Sequence, residues 1–407
     1  MEQYVLRSRY LQRIKPFVDK PVIKTLIGLR RSGKSTLLQM IRQELLQSVP
    51  DTRIFFLNFE SRAGMDITDV QQFIEMVHSF GSKAKGKIYL LLDEIQLLPG
   101  WEQAVNSFRV DLDCDIYITG SNAELLSGKL STLLAGRYVE FQVYPLTFSE
   151  FCLMHEKEEY TVDQLFEFYV TMGGMPFLRH LNFSRDESLK YLDDVFNTIV
   201  VKDVVQAGNI RDVDFFTRLI RFMLENIGET FSARSISNYL KSEQRRIAVD
   251  TVLNYLHFAE NAFLLERLPR YDLIGKKLLT VDEKFYVADH GFREAAGFSN
   301  TAHIERVLEN IVAIELLSRG YELKVGRIDK REVDFLVEKG STRLYIQVAY
   351  LLADADTIDR EFSPLHDIPD NLPKLVLSLD TFDRGHDGIR HMNLKEFLML
   401  PELSFLN

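Results

Sequence analysis

Gly28-Leu-Arg-Arg-Ser-Gly33-Lys34-Ser35 lies between an apolar run, Val22 to Ile27, and a segment from Thr36 that carries Leu37, Leu38, Ile41 and Leu45 on one face. The pattern reads as a buried strand, a G-x-x-x-x-G-K-[ST] turn and a helix. Glycines let a backbone close round phosphate oxygens, and the first N–H groups of the helix point at the same anion. The expected cradle is Gly28, Arg31, Ser32, Gly33, Lys34, Ser35 and Thr36. Lys34 is expected to reach the β- and γ-phosphates, and Ser35 to offer its hydroxyl to Mg²⁺.

A second apolar run, Ile88 to Leu92, ends in Asp93-Glu94. Strands buried on both faces in a parallel sheet look like this, and their carboxyl ends are where open α/β sheets take ligands. Asp93 is expected to hold the Mg²⁺ shell, and Glu94 to orient and activate the attacking water. Phosphoryl transfer asks mainly for positioning and charge neutralisation, which these residue types supply. A further strand, Ile116 to Thr119, runs into Gly120-Ser121-Asn122. Ser121 and Asn122 are candidates to touch the γ-phosphate or the water, although Gly-Ser-Asn also favours a plain turn. Arg137, just before another strand, has two readings: a guanidinium for transition-state charge, from its own chain or a neighbouring copy, or a surface salt bridge. The chain has no Asn-Lys-x-Asp guanine signature, which favours ATP over GTP.

Strand candidates at 22–27, 53–58, 88–92, 115–119 and 138–143 alternate with helical stretches at 35–48, 69–80 and 101–111, so the fold class is α/β with a mostly parallel sheet. A short amphipathic helix leads in over 1–20. Gly173-Gly174-Met175-Pro176 breaks two helices, 163–172 and 187–205. Helical patterns at 215–227, 233–240 and 247–259, then strands at 264–271 and 284–288, have the winged-helix order. The last hundred residues open with a helix at 304–319 and carry strands at 321–327, 332–338, 344–348 and 375–378. Two cysteines, a net charge of −10 and no apolar run of spanning length point to a cytoplasmic protein with no membrane partner that is not a general duplex-coating one.

These motifs, with Leu91-Leu-Asp-Glu-Ile-Gln96, Ala135-Gly-Arg137, Tyr144-Pro-Leu146 and the Gly-Gly-Met-Pro turn, occur in the same order in a family of prokaryotic AAA-type ATPases that the chain resembles. The resemblance implies an AAA-type P-loop core over 1–148, a helical lid segment over 149–210, a winged helix over 211–298 and a restriction-endonuclease-like α/β domain over 299–407. It implies ATP and Mg²⁺ as ligands, Glu94 as the water-activating residue, Asn122 as a sensor and Arg137 as a finger-type arginine. Endonuclease-like folds hold Mg²⁺ with a helical Glu, an Asp and a Glu/Gln-x-Lys; the counterparts here are Glu309, Asp334 and Gln347-Val-Ala349. Ala349 stands where the lysine would be, so cleavage is not expected. The alternative to a working ATPase motor is an ATP-controlled switch in which the winged helix meets DNA through Arg234, Lys241, Arg245 and Arg246, and the terminal domain docks a protein partner. A homo-oligomer is implied if Arg137 serves a neighbour's site.

Overall fold

The computed structural model describes residues 5–121, 134, 136–206, 208, 210–232, 236 and 248–403. They form two compact units, Met1–Tyr144 with Asn261–Phe263, and Pro145–Glu260 with Leu264–Asn407. Among the described residues no helix is long and apolar enough to cross a membrane.

The N-terminal unit is built on five parallel strands: β1 (Ile23–Ile27), β2 (Ile54–Asn58), β3 (Ile88–Asp93), β4 (Cys114–Gly120) and β5 (Tyr138–Gln142). Their order is β2-β3-β4-β1-β5. All five residues of β1 and all six of β3 are buried, as expected of strands covered on both faces. Leu37, Leu38 and Ile41 of helix Lys34–Leu46 pack with Leu26, Leu91 and Tyr117 in one core. A charged pair sits inside this apolar layer. Lys24 of β1 is fully buried and paired with the fully buried Asp115 of β4, and its ammonium lies 4.5 Å from the centre of the Tyr117 ring. Burial pulls the Lys24 pKa below its ordinary value, against the opposing pull of Asp115.

The C-terminal unit begins with helices whose starts are written in the sequence. Thr147 and Glu150 form a capping box for Phe148–Met154, and Thr161 and Gln164 do the same for Val162–Met172. Helix Arg185–Thr198 follows and widens into a π-type segment, Ile199–Gln206. An eight-stranded sheet then takes in β6 (Thr230–Phe231), β7 (Leu265–Asp272), β8 (Lys277–Val287), β9 (Glu322–Ile328), β10 (Arg331–Lys339), β11 (Thr342–Val348), β12 (Lys374–Ser378) and β13 (Arg390–Asn393), in the order β13-β12-β11-β10-β9-β7-β8-β6. Helices Val213–Glu225 and Val249–Asn261 precede the β7–β8 hairpin. That hairpin shares the sheet of the terminal strands through parallel β7–β9 pairing, so the boundary expected at 298/299 runs through one continuous sheet. The helix expected at 233–240 lies outside the described residues apart from Ile236.

The Gly-Gly-Met-Pro turn has a structural explanation in this unit. Gly174 donates its N–H to Asp289 Oδ2 at 2.9 Å, and Gly291 donates to Oδ1 at 2.8 Å. Asp289 is buried, and burial lifts its pKa to about 7 against those two donors. Its neighbour His290 moves the other way, to about 4, because burial disfavours the imidazolium. Its Nε2 donates to the Tyr169 carbonyl at 2.6 Å.

The two groups act on stability with opposite signs. The unfolded chain protonates His290 near 6.5 and the folded one only near 4. Its contribution is therefore full above 6.5 and is lost as pH falls to 4. Asp289 keeps its proton in the fold up to about 7 but loses it near 3.8 when unfolded, so its contribution is full below 3.8 and gone above 7. His290→Gln removes the first effect alone. Its destabilisation, measured by urea unfolding against wild type, is expected to grow by roughly 3 kcal/mol as pH rises from about 4 to about 6.5. A penalty that does not change with pH would show that His290 is not buried neutral.

Candidate nucleotide site

The phosphate loop needs its first glycine for two reasons. Gly28 has φ 142°, and a Cβ there would lie 2.3 Å from the carbonyl oxygen of Val143. Gly33 has φ 100° and immediately precedes helix Lys34–Leu46, so the loop delivers its backbone straight into a helix N-terminus. Lys34 is buried, with Nζ 3.0 Å from the carbonyl of Gly28 and 2.9 Å from that of Leu29, which holds the ammonium over the loop. Ser35 and Arg31 are exposed, Thr36 is half-buried, and the Ser32 side chain is fully buried beneath the loop. Arg7, in the lead-in segment, donates to the carbonyls of Ser32 at 3.1 Å and Tyr144 at 2.9 Å and so braces the loop from behind. Nothing local in the sequence marks this residue. A lone arginine among many charged lead-in residues gave no sign that it would be buried.

The acidic pair meets this loop. Asp93 Oδ1 accepts from Ser35 Oγ at 3.0 Å and from Thr119 Oγ1 at 2.6 Å, and Oδ2 accepts from Asn58 Nδ2 at 2.8 Å. Burial raises the Asp93 pKa, while the Thr119 and Ser35 hydroxyls oppose the rise. Carboxyl ends of three strands, β2, β3 and β4, thus converge on one carboxylate beside the loop hydroxyl. Glu94 takes the left-handed conformation at φ 52°, and its N–H donates to Thr119 Oγ1 at 2.9 Å. Its Oε2 accepts from Gln96 Nε2 at 2.5 Å and from Ser121 Oγ at 3.5 Å. Thr119, Asn58 and Gln96 were not among the expected site residues. Only their positions at or just past strand ends could have marked them.

Among the described residues, one expected residue, Arg137, does not join this cluster. Asn122 lies outside the described residues. Arg137 immediately precedes β5, whose first residue pairs with Ile23, whereas the loop leaves β1 at Ile27, beside Gln142. It therefore sits at the amino ends of the parallel strands, roughly 15 Å from the loop along the strand direction. Its guanidinium is exposed and contacts Asn106 Oδ1 at 3.4 Å. Arg137 thus lies at the opposite ends of the strands from its own chain's phosphate loop.

Residues 20–152 match the family described as an AAA domain, and residues 163–302 match a domain of unknown function, DUF8612. Over 403 residues the chain is 38% identical to an uncharacterized protein of Haemophilus influenzae, spanning 97% of this chain and 98% of the relative. The chain belongs to the family of that relative and carries an AAA-type P-loop domain. The chain is also 28% identical over 356 residues to the uncharacterized protein MJ1544 of Methanocaldococcus jannaschii, covering 82% of the chain and 76% of the relative. In fold it is similar to the Walker-type ATPase paby2304 of Pyrococcus abyssi, with a TM-score of 0.53 at 15% identity over 73% of this chain and 97% of that one.

The chain carries a second polar cluster, in its C-terminal unit. Lys284 Nζ on β8 is 2.7 Å from Glu309 Oε1, 2.6 Å from Glu332 Oε1 and 3.7 Å from Asp334 Oδ1. Burial disfavours the Lys284 charge, but Glu309, Asp334 and Glu332 outweigh it and hold its pKa above the ordinary value. Asp334 Oδ2 accepts from the Val348 N–H at 2.9 Å. Gln347 accepts from the Asp334 N–H at 3.2 Å and donates to Glu361 at 3.1 Å. A cavity of about 320 Å³, lined in part by Asp334, Gln347 and Glu361, opens on this array. Glu309, Asp334 and Gln347 thus lie in one cluster, and Ala349 is buried and uncharged. The cation arrives from a different strand, where Lys284 read only as the first residue of an apolar run. Arg234, Lys241, Arg245 and Arg246, the expected DNA-facing residues, lie outside the described residues.

Proposed function

We propose that this AAA-type ATPase binds ATP with Mg²⁺, hydrolyses it, and passes the change to its C-terminal unit. The observation that carries this reading is the meeting of Ser35, Asp93 and Thr119 at one carboxylate, with Glu94 fixed beside them. Ser35 and Asp93 offer two hard oxygen donors side by side, which suits Mg²⁺ held partly through water. When bound, that ion neutralises charge on the phosphates. Lys34 and the loop N–H groups hold the phosphate tail, and Glu94 orients the water and takes its proton. Arg137, remote from its own loop, is assigned to the site of a neighbouring copy, which makes the active form a homo-oligomer. Transmission is proposed to run through the short segment after β5. Val143 backs Gly28 in one unit, and three residues later Leu146 donates its N–H to Gly174 at 2.8 Å in the other. Both cysteines, Cys114 and Cys152, are free, in keeping with the cytoplasmic location we propose.

Titration calorimetry with Mg-ATP tests the assignment. Wild type should bind, and Lys34→Ala should bind at least about a hundredfold more weakly, the scale expected for losing a charge-assisted contact of about 3 kcal/mol. Equal affinity in the two proteins would remove the phosphate-loop assignment.

A further inference from the structure

Three side chains of the C-terminal unit meet outside both clusters. His366 closes helix Ala355–His366, and His386 and Asp387 lie in the loop between β12 and β13. One ring nitrogen of each histidine and one carboxylate oxygen of Asp387 all fall within 4.8 Å of one another, and all three residues are exposed. Among the described residues no other trio of His, Cys, Asp or Glu comes together this closely. The acids round Lys284 do not, since they are spread about an ammonium.

The trio is held in place by its surroundings. His366 Nε2 faces Asp387 Oδ2 at 3.4 Å. His386 stacks on the buried ring of Phe362, with centroids 4.2 Å apart and planes at 24°. Phe362 and His366 are one helical turn apart, so a single helix positions both imidazoles. His386 Nδ1 lies 3.0 Å from the carbonyl of Arg384. A carbonyl can only accept, so Nδ1 carries a proton, and in the neutral ring Nε2 is then the nitrogen with the free lone pair. Imidazoles that bind metals are commonly fixed in this way through the nitrogen that does not bind. The loop is itself tight: the Gly385 N–H donates to Asp383 Oδ1 at 2.8 Å, and the Ile389 N–H donates to the His386 carbonyl at 2.9 Å.

We propose that His366, His386 and Asp387 form a binding site for one transition-metal dication, Zn²⁺ by the chemistry of its donors. Two imidazole nitrogens and one carboxylate oxygen suit Zn²⁺ and not Mg²⁺ or Ca²⁺, which take oxygen donors. Solvent completes the tetrahedron, because the site is open. The bound ion ties the 379–389 loop to helix Ala355–His366, which packs through Phe362 and Leu365 on the sheet core. The site is independent of the nucleotide reading and lies in the other unit.

The test uses the full chain, stripped with chelator and free of nucleotide. Zn²⁺ is titrated by calorimetry, and Co²⁺ is followed by visible absorption. Wild type should take up one Zn²⁺ equivalent that His366→Gln and His386→Gln each weaken at least ~tenfold, with loss of the Co²⁺ bands. Lys34→Ala should leave this uptake unchanged, which separates the site from ATP binding. His366 is exposed, so its variant tests the site without touching the Phe362 stack. Equal Zn²⁺ affinity in wild type and His366→Gln would overturn the proposal, as would no uptake below millimolar Zn²⁺. The trio would then be a surface ion pair only.

Discussion

Glu94→Gln is expected to lower ATP turnover by about 10³-fold while leaving the affinity for Mg-ATP within a few-fold of wild type. The side chain is held for one task. Its backbone sits at φ 52°, a conformation that costs a non-glycine residue and persists only when the surroundings enforce it. Thr119 supplies that enforcement by accepting the Glu94 N–H while donating to Asp93, so one hydroxyl sets both acids. Gln96 and Ser121 fix the carboxylate from the other side. Glutamine has the same shape and can still accept from Gln96, so the loop and the Asp93 cluster should keep their geometry. What is lost is the ability to take a proton from water. Affinity and turnover should therefore separate. Single-turnover hydrolysis, together with calorimetry on the same preparation, reads both quantities. Turnover equal to wild type would assign the base elsewhere. Joint loss of turnover and binding would mean that Glu94 shapes the site and does not act on water.

The legible parts of this molecule share a cause. Strand β1, the glycine-bounded turn and helix Lys34–Leu46 each leave a local mark: an apolar run, glycines forced by φ and close approach, and a one-sided apolar face. Asp93 and Glu94 could be read because they interrupt an apolar strand. Partners that reach the site through space left no such mark. Asn58, Thr119 and Arg7 come from three different segments and are ordinary polar residues until the sheet assembles. The order β2-β3-β4-β1-β5 also decides where Arg137 lies, and no local pattern states that order. Helix Ala355–His366 escaped notice because Pro364 falls inside it and most of its residues are polar. With it went His366 and Glu361, one in each of the two remote polar clusters. Lys284 shows the limit most clearly. A lysine at the start of an apolar run reads as a solvated strand end, and only the fold turns it inward onto Glu309 and Glu332.

Gly173→Ala should destabilise the C-terminal unit by about 4 kcal/mol or more, enough to remove much of the stability of a typical domain. Two independent costs add. The backbone at Gly173 has φ 77° and ψ −164°, a region essentially reserved for glycine, which an alanine enters at a cost of ~1–3 kcal/mol. A Cβ there would also stand 1.8 Å from Asp289 Oδ1 and 2.9 Å from the Gly291 N–H. Neither neighbour can yield cheaply: Asp289 is buried and accepts two backbone N–H groups, and Gly291 is itself packed against the Met172 carbonyl. Gly340→Ala is the matched control. It also has positive φ, at 58°, but nothing lies within 4 Å of its added Cβ, so only the left-handed cost of ~1 kcal/mol should appear. Urea midpoints for the two variants should differ accordingly. In an Asp289→Ala background the Gly173→Ala penalty should shrink by at least about 1 kcal/mol, because the carboxylate it strikes is gone while the backbone strain stays. Equal midpoints for Gly173→Ala and Gly340→Ala would mean that the turn does not press on Asp289. The Gly-Gly-Met-Pro segment would then need another explanation than the close approach of its backbone to that buried acid.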